Sequence, residues 1–169
     1  MSEETKRGAI EMFGVEWRGF DALIRSLSEA DLDRPVFGEG EGWQIRDMVP
    51  HIALWQSIST RVARQVADRH ELPDTPDWDV WAGITTPTPE LNERTYRKWK
   101  GRPIDAALRH LAETHHAFVA AAEALSPDEI ASGPSLPDEL HPFLRAPGVR
   151  HVRDHRLHIE TALKEMTTP

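Results

Sequence analysis

Cysteine is absent from this chain, and tyrosine occurs once. Without a thiol there is no disulfide, no thiolate metal site and no cysteine nucleophile. Any thiol chemistry would have to come from a bound cosubstrate. Long apolar runs are missing as well. Nowhere do about 18 apolar residues follow one another, so no membrane span is expected. The start, MSEETKRGAIEMF, lacks the basic stretch and apolar run of a secretory signal, and the expected location is the cytoplasm. Positive charge is in short supply: 20 Lys and Arg face 28 Asp and Glu, for a net charge of −8. An acidic surface repels phosphate backbones, so a nucleic-acid partner is not expected.

What is abundant is histidine, with nine, and tryptophan, with six. Histidine is the usual nitrogen ligand for metals and the usual acid–base group near neutral pH, so its placement matters more than its number. The 169 residues suit a single domain over 1–169, long enough to bury roughly 70% of the surface its unfolded form exposes.

Apolar residues recur at helical spacing in four stretches. Ile10, Phe13, Trp17, Phe20, Ile24 and Leu27 make one stripe over 5–28. Met48, His51, Trp55, Ile58 and Val62 make a second, in a helix expected from about Gln44 to Asp68 with Pro50 inside it. That proline implies either a kink or a first turn distinct from the rest. Ile104, Leu108, Leu111, His115, Phe118, Ala122 and Leu125 form a third stripe, in a helix beginning near Glu90 and interrupted around Gly101 to Pro103. Ser126-Pro127-Asp128-Glu129 signals a short extra helix, with a serine cap, proline in the first turn and acids behind it. Val152, His155, Ile159, Ala162 and Met166 mark the last helix, about Val149 to Met166. Proline-rich stretches at 69–89 and 132–148 read as long connections. Four amphipathic helices and no convincing strand predict an all-α protein, a four-helix bundle with long crossover loops.

His151 and His155 stand four apart on a predicted helix, one turn apart on one face. Such a pair can reach one ion at Zn–N distances of ~2.0–2.1 Å. His51 occupies the apolar stripe of another helix and so faces the interior. Three imidazoles around one interior point would each need a polar partner, and charging them together would add repulsion. A divalent ion answers both difficulties by accepting a lone pair from each ring. Taken singly, a pair of histidines at this spacing is more often incidental, and a lone histidine on an apolar face more often a core residue.

The stretch Gly42-Trp43-Gln44-Ile45-Arg46-Asp47, followed by His51 and Trp55, resembles the second-helix signature of the DinB/YfiT-like superfamily. His151-Val-Arg-Asp-His155-Arg-Leu-His158-Ile159 resembles its last-helix motif, His-x-x-x-His-x-x-Gln-Ile. The likeness in helix order spans nearly the whole chain. Gln44 stands where a Ser or Thr cap is usual, and His158 where Gln is common. The resemblance implies a four-helix bundle binding one divalent ion through His51, His151 and His155. The superfamily includes thiol-dependent isomerases and transferases that use mycothiol or bacillithiol, among them proteins related to the maleylpyruvate isomerase N-terminal domains, and also self-resistance proteins. Many members are dimers, which implies a homodimer here.

Three protein ligands leave a position for water or substrate, the arrangement of a catalytic metal. Zinc, nickel, manganese or iron are the candidate ions. The expected activity is transfer or hydrolysis at a small electrophilic molecule, with a thiol such as mycothiol or bacillithiol as possible cosubstrate. The alternatives are a non-catalytic small-molecule binding or self-resistance protein, and a structural protein whose histidines complete the core. Asp47 either orients His51, acts as a base, or complements the helix dipole as a first-turn acid. His158 is a candidate catalytic group, acting as a donor to a ligand or as an alternative ligand. Trp55 and His115 are candidate pocket-lining residues, with core packing the competing role for both. Trp43, Trp78 and Trp81 are further candidate walls. Asp154 and His116 should face solvent, and His70, His110 and His141 the surface or loops.

Overall fold

The computed structural model describes residues 2–36, 42–69, 85–131 and 149–165. Helix α1 runs Glu3–Ser26, capped by the Ser2 hydroxyl, which accepts from the Thr5 N–H. A short α2, Glu29–Leu32, follows behind a Ser28/Asp31 capping box. After a 3₁₀ turn at Ile45–Asp47 comes α3, Met48–Arg69. Then come α4, Thr88–Trp99, α5, Ile104–Ala124, α6, Pro127–Ala131, and α7, Val149–Glu165. The described residues are helical with no strand; their one extended pairing is an isolated bridge between Pro35 and Gln44.

Pro50 stands where a helix tolerates it. The α-helix begins at Met48, so proline falls in its first turn, where backbone N–H groups have no partner inside the helix. The 3₁₀ turn before it is the distinct first turn that the sequence left open. The interruption near Gly101 is a full break. Gly101 adopts φ +75°, a left-handed conformation that glycine takes without cost, and α5 restarts after Pro103. Ser126 and Glu129 cap α6 reciprocally, each backbone N–H bonded to the other's side chain, as the motif predicts.

The long helices pack most extensively as α3 on α5 and α1 on α7. Their stripes meet in a core that includes Phe13, Phe20, Ile24, Met48, Ile52, Leu111, Phe118, Val152 and Ile159. A smaller cluster, with Ile58, Val62, Val66, Ala121 and Leu125, continues it along α3 and α5. Small buried residues such as Ala63 and Ala121 let those two helices approach closely. Two charged contacts fasten the frame. The Lys6 ammonium donates to the carbonyls of Glu123 and Leu125, satisfying acceptors at the end of α5. Glu16 on α1 receives both Arg153 and Arg156 from α7, at 3.0 and 3.2 Å. The Glu16 pairs join α7, which carries His151 and His155, to α1. No helix among the described residues is long and apolar enough to cross a membrane.

Candidate metal centre

His51 sits in the first turn of α3, and His151 and His155 one turn apart at the start of α7. The Nε2 atoms of all three converge. His151 is the hub, 3.2 Å from His51 and 2.8 Å from His155. The three ligand atoms all lie within 4.8 Å of one another, and no other group of three or more metal-ligating side chains occurs among the described residues. Nitrogens around a tetrahedral ion at ~2.0–2.1 Å stand about 3.3 Å apart. The His51–His151 separation matches that value, and the His151–His155 separation is tighter by a few tenths of an ångström.

The electrostatics agree. Burial, with the neighbouring His155, lowers the pKa of His51 to about 3. Burial, with His51, lowers that of His151 to about 3. His155 lies well below the usual value, first from burial, then from His151 and His158. All three rings are neutral at pH 7 and offer lone pairs, the state ligation requires. Without an ion the arrangement is frustrated: one N–H can serve one neighbouring nitrogen, which leaves the remaining lone pairs facing each other. His151 keeps some surface exposed, yet its Nδ1 is shut off from solvent and has no hydrogen-bond partner among the described residues. Its orientation comes from ring packing.

That packing is aromatic. The Trp43 ring meets His51 at 5.4 Å, and Trp55 meets His51 and His151 at 6.5 and 6.4 Å, all near-perpendicular. Both indoles lean on α4. Trp55 Nε1–H donates to Asn92 Oδ1 at 3.2 Å, and Trp43 stacks on Tyr96 at 5.6 Å. Comparison with protein families finds a match over residues 13–159 to the mycothiol maleylpyruvate isomerase N-terminal domain. The chain belongs to that family. It is thereby a member of the DinB/YfiT-like superfamily that its motifs resemble. Neither the curated proteins nor the solved structures yield a match to it.

The other candidate residues take distinct places. Asp47 is buried, and its carboxylate accepts the Gln44 N–H at 2.8 Å, closing the 3₁₀ turn that leads into α3. Burial raises its pKa, and the Gln44 hydrogen bond and the positive charges of Arg46 and Lys100 oppose the rise. This turn directly precedes the first turn of α3, which carries His51. His158 is exposed on α7 with its ring 5.7 Å from that of His155. His115 is buried away from the triad's rings, against Trp17 at 4.1 Å and Phe13 at 4.8 Å of α1. Asp154 pairs with Arg150 at the surface, and His116 is exposed. His110 is half-buried and stacked on Trp99, deeper than a surface position. His70, His141, Trp78 and Trp81 lie outside the described residues.

Asn92 and Tyr96 are the residues sequence reasoning passed over. Asn92 reads as a helix-start residue, and nothing local ties it to an indole 37 positions away. Replacing Asn92 with alanine is expected to cost about 1 kcal/mol of stability, the net worth of one such hydrogen bond. It should also change the tryptophan emission of the folded protein. Unchanged urea midpoint and emission would show that the bond does not hold Trp55.

Proposed function

We propose that this domain is a four-helix bundle of the DinB kind. In this reading it is a metal-dependent transferase or hydrolase acting on a small electrophilic molecule, with a low-molecular-weight thiol such as mycothiol or bacillithiol as cosubstrate. The convergence of three Nε2 atoms from α3 and α7 carries the reading. His51, His151 and His155 would hold one divalent ion: zinc, nickel, manganese or iron. A bound ion of this kind supplies Lewis-acid chemistry and favours the deprotonated form of a thiol or water. The chain's own residues then bind and orient. Trp43 and Trp55 wall the centre and exclude water, and Asn92 and Tyr96 fix those walls. No carboxylate joins the three histidines among the described residues, and the chain has no cysteine, which supports a nucleophile brought by the cosubstrate.

The remaining assignments follow from the same reading. His158, at the exposed edge of His155, would relay a proton between solvent and the site. Asp47 would position His51, Trp55 would line the substrate pocket, and His115 would support α1 behind it. A cytoplasmic homodimer of single-domain subunits, taking small molecules and no nucleic acid, completes the proposal.

The test is elemental analysis of purified protein with and without His51→Ala, followed by a thiol-consumption assay with an electrophilic probe. The reading expects near-stoichiometric metal in the parent and little in the variant, with thiol consumption in the metal-loaded parent only. A parent that stays metal-free in excess zinc, nickel and manganese would sink it. Metal uptake without thiol or electrophile turnover would turn the assignment toward ligand binding.

A further inference from the structure

The function proposed above leaves unused the densest positive charge in the chain. Arg94, Arg97, Lys98, Lys100 and Arg102 fall close together in a protein of net charge −8, and all five are exposed. Arg94 and Arg97 are neutralised by Glu90 and Glu93, one turn earlier on α4. Lys98, Lys100 and Arg102 form no ion pair within 4 Å among the described residues, although the Tyr96 hydroxyl and the more distant carboxylates of Asp47 and Glu93 act on Lys100. The Lys100 ammonium lies 5.1 Å over the Tyr96 ring, and the Arg102 guanidinium 5.1 Å over the Trp99 ring.

Cations near a helix C-terminus complement its dipole, which accounts for Arg97 and Lys98 in the last turn of α4. Lys100, the C-cap of α4, shares that role, and Arg102 lies beyond it, past Gly101. The left-handed Gly101 turns the chain there, and Arg102 N–H bonds to the Trp99 carbonyl at 3.0 Å. An aromatic face places a cation without discharging it, so both side chains keep N–H donors for an anion. The location matters. Tyr96, under Lys100, stacks on Trp43, and Trp43 meets the ring of His51. A basic patch on an acidic protein concentrates small anions where it lies.

We propose that Lys100 and Arg102, held on Tyr96 and Trp99 around the Gly101 turn, form an anion-recognition element whose Lys100 side connects to His51 through Tyr96 and Trp43. It takes the carboxylate or phosphate group of a small organic anion. The inference rests on the metal-centre reading for the anion's role, that of substrate delivered to the triad. The binding itself stands without it.

The experiment is an NMR titration of the full-length ¹⁵N-labelled protein with succinate, with inorganic phosphate and with neutral succinamide, sodium chloride keeping ionic strength constant. Succinate or phosphate is expected to shift the amides around Trp99 to Arg102 saturably in the millimolar range, and the tighter of the two names the recognised group. The double variant Lys100→Gln/Arg102→Gln should bind at least tenfold more weakly, while Arg94→Gln, already paired in the parent, binds as the parent does. Shifts that never saturate, that succinamide reproduces, or that survive the double variant would overturn the proposal. His51→Ala separates the two readings. It should lose metal and keep the anion. A parent that binds succinate yet takes up no metal would remove the metal centre and leave this element standing.

Discussion

Zinc added to the metal-stripped protein is expected to raise its melting temperature by about 10 °C, and His155→Ala to erase the rise. A ligand that binds only the folded state stabilises by ~4 kcal/mol at a free concentration about 1,000 times its dissociation constant. In a domain of this length each kcal/mol is worth ~2–4 °C. His155 is the sharpest position for the test. It is 3% exposed, and its Nε2 lies 2.8 Å from the hub nitrogen of His151. It also sits inside α7, where alanine favours the helix, so the variant should fold. His116→Ala removes an exposed imidazole outside the triad and should retain the full zinc response. An equal rise in parent and His155→Ala would place the zinc elsewhere, and no rise in the parent would leave the triad as core.

Acid is expected to unfold the metal-free protein well above the pH at which its carboxylates titrate. His51 and His151 are held to about 3 and His115 to about 4, against about 6.5 in the unfolded chain. Burial is the first cause for all three. For His115 the neighbouring His116 and Arg18 add to it. Between pH 6.5 and those values the unfolded chain takes up protons that the folded chain refuses. The folded state is therefore at full stability above pH 6.5 and loses it progressively as pH falls toward 4 and then 3. Each ring contributes about 1.4 kcal/mol for every pH unit over which only the unfolded chain is protonated. Several such rings together rival the typical net stability of ~5–15 kcal/mol. Urea midpoints of the chelator-treated protein should fall steeply from pH 7.5 to pH 5. His115→Phe should soften the slope, because it keeps a ring against Trp17 and Phe13 but has nothing to protonate. A midpoint unchanged at pH 5 would mean that the rings are hydrated, and the buried centre described above would not exist.

The helices were legible because amphipathic periodicity is a local signal. The stripe of Phe13, Phe20 and Ile24 and that of Leu111, His115 and Phe118 are buried where their spacing puts them. The serine cap of α6 and the break at Gly101 were equally readable, since capping and left-handed backbone are properties of a few neighbouring residues. Pro50 was ambiguous because its effect depends on which residue starts the α-helix. That start is set by the Asp47–Gln44 turn before it and not by proline itself.

The three histidines were visible as candidates on different grounds. The pair on α7 follows from helical geometry, and His51 only from its place in a stripe and from resemblance. What no local pattern contains is their meeting, 100 residues apart in the chain. The same holds for Trp55 with Asn92, for Tyr96 between Lys100 and Trp43, and for His115 turned to Trp17 and away from the triad. By itself the sequence determined the helical elements, their buried faces and the residue types able to hold an ion. Which histidines converge, which indoles pack on them and which rings the cations Lys100 and Arg102 lie over were decided by the tertiary structure. Helix formation depends on neighbours within a turn, whereas those encounters depend on how helices far apart in the chain are set against each other.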